Sequence, residues 1–190
     1  INNQHGFGTD KYDSALRLEE PNKRKNELLA LEIVADLGFA ELTSATGYSE
    51  YSENGQRDQT DLLLELETGY EFFPQFSAFT REDGNEDTFT QELRLVSTSE
   101  GPLSWIGGVF YSDFELNTLS QELTPNWEEF AIDFFGTGTE PGASDVEYEE
   151  TRSQKVEESA VFGEIGYRFT DEWQVTVGAR WFKFEDKAES

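Results

Sequence analysis

The chain has 190 residues, of which 40 are Asp or Glu and 14 are Lys or Arg, so its formal charge at pH 7 is −26. This charge repels phosphate and no stripe of Lys and Arg relieves it, which excludes nucleic-acid binding, while the absence of Cys excludes disulfides, thiolate metal sites and cysteine nucleophiles. Aromatic residues make up 14% of the chain and indicate a folded protein, although the hydrophobic fraction of 36% is low.

The first predicted element is a β-hairpin over about residues 27–50. Apolar side chains alternate along Leu29–Ala35, Asp36–Gly38 forms a turn, and a second strand begins at Phe39. Alternation with a period of two predicts strands, and a connection this short makes the two strands antiparallel neighbours.

A second hairpin is predicted over about residues 88–116, with Ser99–Pro102 as its turn. Apolar residues alternate with polar ones before the turn, and Gln91 is the one polar residue on the apolar side. The strand after the turn begins at Leu103.

The third predicted hairpin covers about residues 157–187 and has Thr170–Glu172 as its turn. Phe162 is an apolar exception to the alternation in its first strand. The segment Trp173–Trp181 alternates throughout, and at about 3.3 Å per residue it is about 26 Å long. Tilted by roughly 40°, it covers about 20 Å, which is close to the apolar band of a transmembrane β-barrel.

Two long polar segments, residues 51–87 and 117–156, join the predicted hairpins. A compact soluble domain rarely contains two connections of this length without structure of their own. Transmembrane β-barrels do contain them, because their turns are short on the periplasmic side and their loops are long on the outside. The sequence therefore predicts an all-β, antiparallel transmembrane β-barrel segment of about six strands, with these two segments as extracellular loops.

The alternation assigns side chains to the two surfaces of this barrel. Aromatic residues near the strand ends are predicted to lie at the membrane interfaces; they are Tyr48, Tyr111, Tyr167, Trp173 and Trp181. Charged residues on the opposite side are predicted to face the water-filled lumen, as a solvated wall or as a substrate pathway; they are Glu92, Arg94, Glu164 and Arg180. A β-sandwich core is the alternative for the aromatic residues, although a dry core would not accept unpaired Glu and Arg.

One loop element, residues 126–136, has the pattern of a short amphipathic helix. Asn126 can cap it, and its apolar face includes Trp127, Phe130 and Phe134. These three aromatic residues are predicted to contact a ligand, and packing of the loop onto its neighbours is the alternative.

The sequence predicts no catalytic site and no bound cofactor. His5 is the only histidine, and no sequence pattern gives it the partners of a zinc site or of a Ser–His–Asp triad. Asp83–Asp87 begins like a calcium loop, but Thr88 and Arg94 stand where an EF-hand has Gly and Glu, so only loose calcium binding by the acidic loops stays open. Pairs of carboxylates arise by chance among so many acids, and they do not by themselves indicate a glycosidase.

The three hairpins contain five segments with a familiar pattern: Leu42–Tyr48 (LTSATGY), Phe89–Ser97 (FTQELRLVS), Gly101–Tyr111 (GPLSWIGGVFY), Phe162–Trp173 (FGEIGYRFTDEW) and Val175–Trp181 (VTVGARW). Through these segments all three hairpins resemble hairpins of TonB-dependent outer-membrane receptors, over roughly residues 27–187. The two long loops resemble those of this family only in being long and polar.

The resemblance implies a barrel of 22 strands around an N-terminal plug, in the outer membrane of a Gram-negative bacterium. It also implies uptake, energised by the TonB complex, of a scarce nutrient such as an iron–siderophore complex, cobalamin or a glycan. The sequence shows neither a plug nor a TonB box, so we expect residues 1–190 to be part of such a barrel. Its partners would then be membrane lipid, the remaining strands, the plug and the nutrient. The alternative is a secreted or surface-exposed β-sandwich that serves as a binding or structural module.

Overall fold

A computed structural model of the chain describes residues 17–66, 76–128, 132 and 145–189. Its strands are β1 (Asn22–Asp36), β2 (Ala40–Asp58), β3 (Phe79–Ser97), β4 (Leu103–Leu123), β5 (Val146–Arg168) and β6 (Gln174–Glu189). They form one sheet in the order β1–β2–β3–β4–β5–β6, each strand antiparallel to its neighbours. The predicted all-β fold of six antiparallel strands is confirmed.

The strands extend well beyond the bounds that the alternation predicted. β2 continues to Asp58, β3 begins at Phe79 and β5 begins at Val146, so much of the two predicted loop segments is strand. Asp83–Asp87, predicted to lie in an acidic loop, is part of β3. These extensions carry polar side chains on both faces, and such a strand lacks the apolar–polar alternation on which the prediction depended.

The turn between β1 and β2 is closed by the side chain of Asp36. The Gly38 amide donates a 2.7 Å hydrogen bond to Oδ1 of Asp36, and the Leu37 amide donates to the carbonyl of Ala40. Gly38 has a φ of 84°, in the left-handed region that glycine adopts without a Cβ penalty. The sequence Asp-Leu-Gly therefore fixes this turn locally.

The third hairpin is paired in register along its whole length, from Arg168 opposite Gln174 to Ser153 opposite Glu189. Its turn is held by Thr170, whose hydroxyl oxygen accepts hydrogen bonds from the Glu172 and Trp173 amides.

The chain forms two compact units. The first comprises the described residues within 1–24, 53–83 and 118–151, and includes the helix α1 (Thr60–Leu66). The second comprises the described residues within 25–52, 84–117 and 152–190, and includes all three tight turns.

The first unit contains a small hydrophobic core. Phe76 and Ala78 are buried, and Leu63, Leu64 and Trp127 pack against them.

Within the described residues, no helix has the length and apolar character needed to cross a membrane.

The second unit has almost no core. Among its described residues only Ala40, Thr43, Ala160 and Gly166 are buried. Large hydrophobic side chains are instead exposed along every strand of the sheet. What covers these side chains is therefore the main question that the fold raises about function.

Candidate functional surfaces

The β5–β6 hairpin has two chemically different faces. Val161 lies opposite Trp181 and Ile165 lies opposite Val177, so one face is apolar. Because side chains alternate along a strand, the residues between them project from the other face. We call these two faces the apolar face and the polar face.

The apolar face continues across the other strands of the second unit. Side chains that touch across two neighbouring strands must lie on the same face of the sheet. Such contacts join β1 to β2 (Lys25 with Glu50, 3.8 Å), β2 to β3 (Thr46 with Gln91, 2.6 Å), β3 to β4 (Phe89 with Tyr111, ring centroids 6.3 Å apart) and β4 to β5 (Tyr111 with Glu157, 3.3 Å). The face therefore comprises the odd-numbered positions of β1, β3, β4, β5 and β6 and the even-numbered positions of β2.

A row of aromatic side chains crosses the apolar face at the end of its uncharged part that lies away from the tight turns. It includes Tyr48, Phe89, Tyr111 and Trp181, and Trp181 is 69% exposed. Between this row and the turns, the apolar face carries no Asp, Glu, Lys or Arg at any of its described positions. The face is thus an uncharged band with an aromatic border.

The predicted interface aromatics all lie on the apolar face or beside a turn. Tyr48, Tyr111 and Trp181 belong to the aromatic row, whereas Tyr167 and Trp173 lie next to the third turn. Tyr167 contacts Phe169 edge to face, with ring centroids 4.9 Å apart. Their contact with a membrane interface stays a prediction.

Beyond the aromatic row, the same face becomes densely charged. We call these side chains the charged collar: Lys25, Glu27, Glu50, Asp87, Asp113, Glu115, Lys155, Glu157, Lys183, Glu185 and Lys187. Lys155 binds Glu115 at 2.9 Å and Asp113 at 3.2 Å, and Glu185 pairs with both Lys183 and Lys187. Exposed ion pairs contribute about 0–1 kcal/mol each, so these pairs stabilise the sheet only weakly.

Sequence reasoning missed the collar, although a signal was present. After Trp181 the alternation inverts, because Phe182 and Phe184 fall on the polar face while Lys183 and Glu185 fall on the apolar face. An inversion of the pattern within one strand indicates where the apolar band ends.

The four predicted lumen residues occupy the polar face in two places. Arg94 lies 3.7 Å from Glu92 on its own strand. Arg180 forms a 2.7 Å ion pair with Glu158, and Glu164 lies opposite Gly178. Their position at a water-filled lumen stays a prediction.

Aromatic rings that the sequence reasoning did not assign surround Arg180. Its guanidinium carbon lies 5.4 Å from the ring centroid of Phe110, within the range of a cation–π interaction. Phe162 is its cross-strand partner and lies over Gly108, where an added Cβ would come within 2.4 Å of the ring. The exception at Phe162 is thereby explained, since the ring fills the space that a glycine leaves.

Gln91, the polar exception on the apolar face, is satisfied by neighbouring side chains. Its Oε1 accepts a 2.6 Å hydrogen bond from the Thr46 hydroxyl. Its Nε2 donates to the Ser44 hydroxyl and to the carbonyl of Glu92, both at 3.1 Å. A polar group that is bonded in this way can remain on an apolar surface at little cost.

In the first unit, Trp127 packs into the small core with Phe76 and Ala78. Its amide donates to the carbonyl of Thr124, and the preceding residue, Asn126, has a φ of 65°, not the extended backbone expected of a helix cap. The packing alternative for this loop therefore has structural support at Trp127. Phe130 and Phe134 lie outside the described residues.

Asp58 holds the start of α1 in the same unit. Its Oδ1 accepts the Thr60 amide at 3.0 Å, and its Oδ2 accepts the Arg17 and Leu18 amides at 2.6 and 3.0 Å. Partial burial raises the pKa of this carboxyl, but the hydrogen bonds from Thr60, Leu18 and Arg17 outweigh it and hold the pKa below its usual value. The described residues contain no cluster of three His, Cys, Asp or Glu side chains that could hold a metal ion.

No protein-family model matches the chain, and no curated protein matches it. Solved structures do match. The siderophore receptor PiuA from Acinetobacter baumannii superposes with a TM-score of 0.56 and 16% identity over 88% of this chain and 26% of its own. The ferric yersiniabactin uptake receptor FyuA from Yersinia pestis superposes with a TM-score of 0.58 and 10% identity over 92% of this chain and 26% of its own. The chain spans about a quarter of each receptor, and identities this low show a shared fold.

Proposed function

We propose that the chain is part of the β-barrel of a TonB-dependent receptor that imports a scarce nutrient across the outer membrane of a Gram-negative bacterium. The observation that carries this proposal is the apolar face, an uncharged band that exposes large side chains between the tight turns and an aromatic row. Outer-membrane barrels require such a band, about 25 Å tall and bordered by aromatic girdles, on the surface that contacts lipid.

Lipid would cover the exposed apolar side chains of this face, which are too many to leave in contact with water without a large cost in free energy. Val177 and Trp181 are each about 70% exposed, and exposed apolar area costs roughly 25 cal/mol per Å² in water. The charged collar would then lie in the headgroup layer, and the polar face with Glu92, Arg94, Glu164 and Arg180 would line the water-filled interior.

The two outer strands support a barrel larger than the described sheet. β1 and β6 are the ends of the strand order, so each has one edge without a strand partner among the described residues. A bilayer does not tolerate open edges, because unpaired amides and carbonyls cannot reach water there. Further strands of the same barrel would pair with these edges, and a plug would occupy the interior.

The nutrient class favoured by the fold likeness is an iron–siderophore complex, since one matched structure is a siderophore receptor and the other is a ferric yersiniabactin uptake receptor. The strongly acidic chain would favour a cationic or metal-bearing ligand unless bases elsewhere in the barrel offset its charge. Cobalamin and glycans are the other nutrients compatible with a receptor of this class.

The lipid-facing role is tested with one substitution on each face of β6. Val177→Arg would place a charge on the apolar face, and Thr176→Arg places the same charge on the polar face of the neighbouring position. We expect Val177→Arg to destabilise the folded state in lipid vesicles by about 2–4 kcal/mol and Thr176→Arg to cost about 1 kcal/mol or less. The measurement is urea unfolding of the vesicle-bound protein, followed by tryptophan fluorescence.

Two outcomes would overturn the proposal. One is equal tolerance of both arginines, which would mean that the apolar face contacts water. The other is a stable 21.6 kDa monomer in water without detergent, measured by light scattering, which would favour the soluble β-sandwich.

The nutrient is tested in cells. Deletion of the gene should abolish growth on one ferric siderophore as the sole iron source, and the intact gene should restore it. Unchanged growth of the deletion strain on every ferric siderophore tested would rule out iron–siderophore uptake, and cobalamin and glycans would remain as the candidate nutrients.

A further inference from the structure

The two edge strands, β1 and β6, differ from the inner strands of the second unit in what they expose on the polar face. Among the described residues of that unit, every large hydrophobic side chain that is exposed on the polar face of a strand belongs to β1 or β6; these are Leu28, Val34, Phe182 and Phe184. Leu28 is 76% exposed and Phe182 is 59% exposed. Each edge of the sheet therefore exposes apolar surface on both of its faces, which is typical of a surface that another element covers.

The backbone groups of the two edges fit each other. The Pro21 carbonyl accepts a hydrogen bond from the Gln56 amide of β2, and the Phe169 amide donates to the Trp173 carbonyl. Odd positions of β1 and β6 thus direct their backbone groups into the sheet, and even positions direct theirs to the free edge. With six strands in antiparallel order, β1 and β6 also run in opposite directions. An antiparallel pairing of even with even positions would satisfy both edges and continue the apolar face.

The registers inside the sheet suggest how the two edges would align. Neighbouring strands have their turn-side ends level with each other. Arg168 lies opposite Gln174 in the third hairpin, and the Arg168 amide donates to the Pro102 carbonyl at the start of β4. By the same rule, a β1 strand beside β6 would have Asp36 opposite Gln174.

This register matches the two edges in charge and in hydrophobicity. On the apolar face, the facing pairs are Lys25 with Glu185, Glu27 with Lys183, Leu29 with Trp181, Leu31 with Ala179 and Ile33 with Val177; on the polar face, they include Arg24 with Asp186 and Leu28 with Phe182. A shift of two residues in either direction would place Lys25 opposite Lys183 or Lys187. Like charges directly opposite each other are destabilising, so the collar selects this register over its neighbours.

We propose that β6 of one copy of the chain pairs with β1 of a second copy, antiparallel and in this register. The inference deepens the proposed function by assigning the strands that complete each edge, and it rests on that function because the joined sheet keeps its apolar face in a bilayer. The contact is head to tail, so each pair of copies leaves one β1 edge and one β6 edge for further copies. Such a sheet loses its edges only when the copies close into a ring.

The test is disulfide cross-linking in lipid vesicles with the full chain, which contains no Cys of its own. One batch carries Leu31→Cys and the other carries Ala179→Cys, and the two are mixed before refolding, so a disulfide between these positions joins two copies. At this interface odd positions would form non-hydrogen-bonded pairs, whose Cβ atoms lie about 4.5 Å apart, within the range of a disulfide. The control mixture combines Leu31→Cys with Val177→Cys, a diagonal pair about 7–8 Å apart.

We expect the mixture of Leu31→Cys and Ala179→Cys to cross-link about tenfold faster than the control mixture. Mass spectrometry of the linked peptides identifies the positions. Charge reversal in the same assay tests the collar. Lys25→Glu in the first batch should slow cross-linking about two- to fivefold, and Glu185→Lys in the second batch should restore it, because each changes one member of a facing pair.

Three outcomes would overturn the pairing. They are equal cross-linking of the two mixtures, a disulfide within one copy when a single chain carries both Cys, and an inserted chain that stays monomeric. The last would leave the edges to further strands of one longer chain. Flotation with vesicles is measured in parallel, so that the proposed function is judged separately. A chain that cross-links in this register without inserting would sink the proposed function and support the pairing, whereas an inserted monomer sinks the pairing alone.

Discussion

The two faces of the β5–β6 hairpin belong to the same strands, yet they follow opposite rules. On the apolar face, the positions between the turn and the aromatic row carry uncharged side chains such as Val161, Ile165 and Val177. On the polar face, Arg180 pairs with Glu158 among aromatic rings. Beyond Trp181, Lys183 and Glu185 lie on the apolar face and Phe182 and Phe184 on the polar face, although the strand and its register continue. The position along the hairpin, and not the face alone, therefore determines which kinds of side chain occur.

The contrast is sharpest at two adjacent glycines of β4, and among variants that introduce no charge the largest effect is expected there. An added Cβ at Gly108, on the polar face, would lie 2.4 Å from the Phe162 ring and 2.8 Å from the backbone oxygen of Leu93. At Gly107, on the apolar face, it would meet no atom within 4 Å. We expect Gly108→Ala to cost about 1–3 kcal/mol of unfolding free energy and Gly107→Ala to be neutral or slightly stabilising.

Urea unfolding in detergent measures both glycine variants. If Gly107→Ala were the more destabilising, the assignment of the two faces on β4 would be reversed.

The hydrogen-bonded glutamine tests whether the apolar face is as dry as we propose. Thr46→Val removes the donor to Gln91 Oε1 and should cost about 1–2 kcal/mol, because the amide oxygen loses its partner on an apolar surface. The double variant Thr46→Val/Gln91→Leu removes both partners of this hydrogen bond and should cost less than Thr46→Val alone. Unfolding of both variants in vesicles provides the comparison, and equal losses would indicate that water reaches Gln91.

The first unit offers a pH-dependent contrast with the sheet. The pKa of Asp58 is lower in the folded state than its unfolded value of 3.8. Its carboxylate therefore stabilises the folded state fully at pH values above 3.8, and this stabilisation is lost as the pH falls through the pKa of the folded state. Hydrogen exchange of the α1 amides should therefore accelerate as the pH falls below about 4, after correction for the intrinsic rate. Asp58→Asn should remove this pH dependence, and exchange in the second unit serves as the internal control. An unchanged pH profile in Asp58→Asn would contradict the assignment.

The smallest expected effect concerns the ion pair on the polar face. Arg180 and Glu158 have side chains that are 46% and 31% exposed, so Glu158→Gln should cost less than about 1 kcal/mol and the cost should shrink in high salt. Glu164→Gln, on the same face of β5, is the control. A loss of several kcal/mol from either variant would indicate a dry, paired core and would favour the β-sandwich.

Much of the fold could be predicted because alternation is a local property. The three tight turns and the six antiparallel strands follow from residues such as Asp36 and Gly38 and from the apolar positions between Trp173 and Trp181. The extensions of β2, β3 and β5 could not be predicted in this way, because both faces of those segments are polar. The helix α1 was missed for a related reason, since it lies inside a segment that reads as a polar loop.

The sequence by itself determined the parts of the six strands that flank the tight turns, the positions of those turns and which face of each strand is apolar there, because these depend on neighbouring residues along the chain. Only the tertiary structure decided which side chains meet across strands. It placed Phe162 over Gly108, bonded Gln91 to Thr46 and Ser44, paired Arg180 with Glu158 and not with Glu164, and packed Trp127 into a small core. These contacts depend on the exact register between strands, and the alternation alone leaves registers that differ by two residues equally compatible with the two faces.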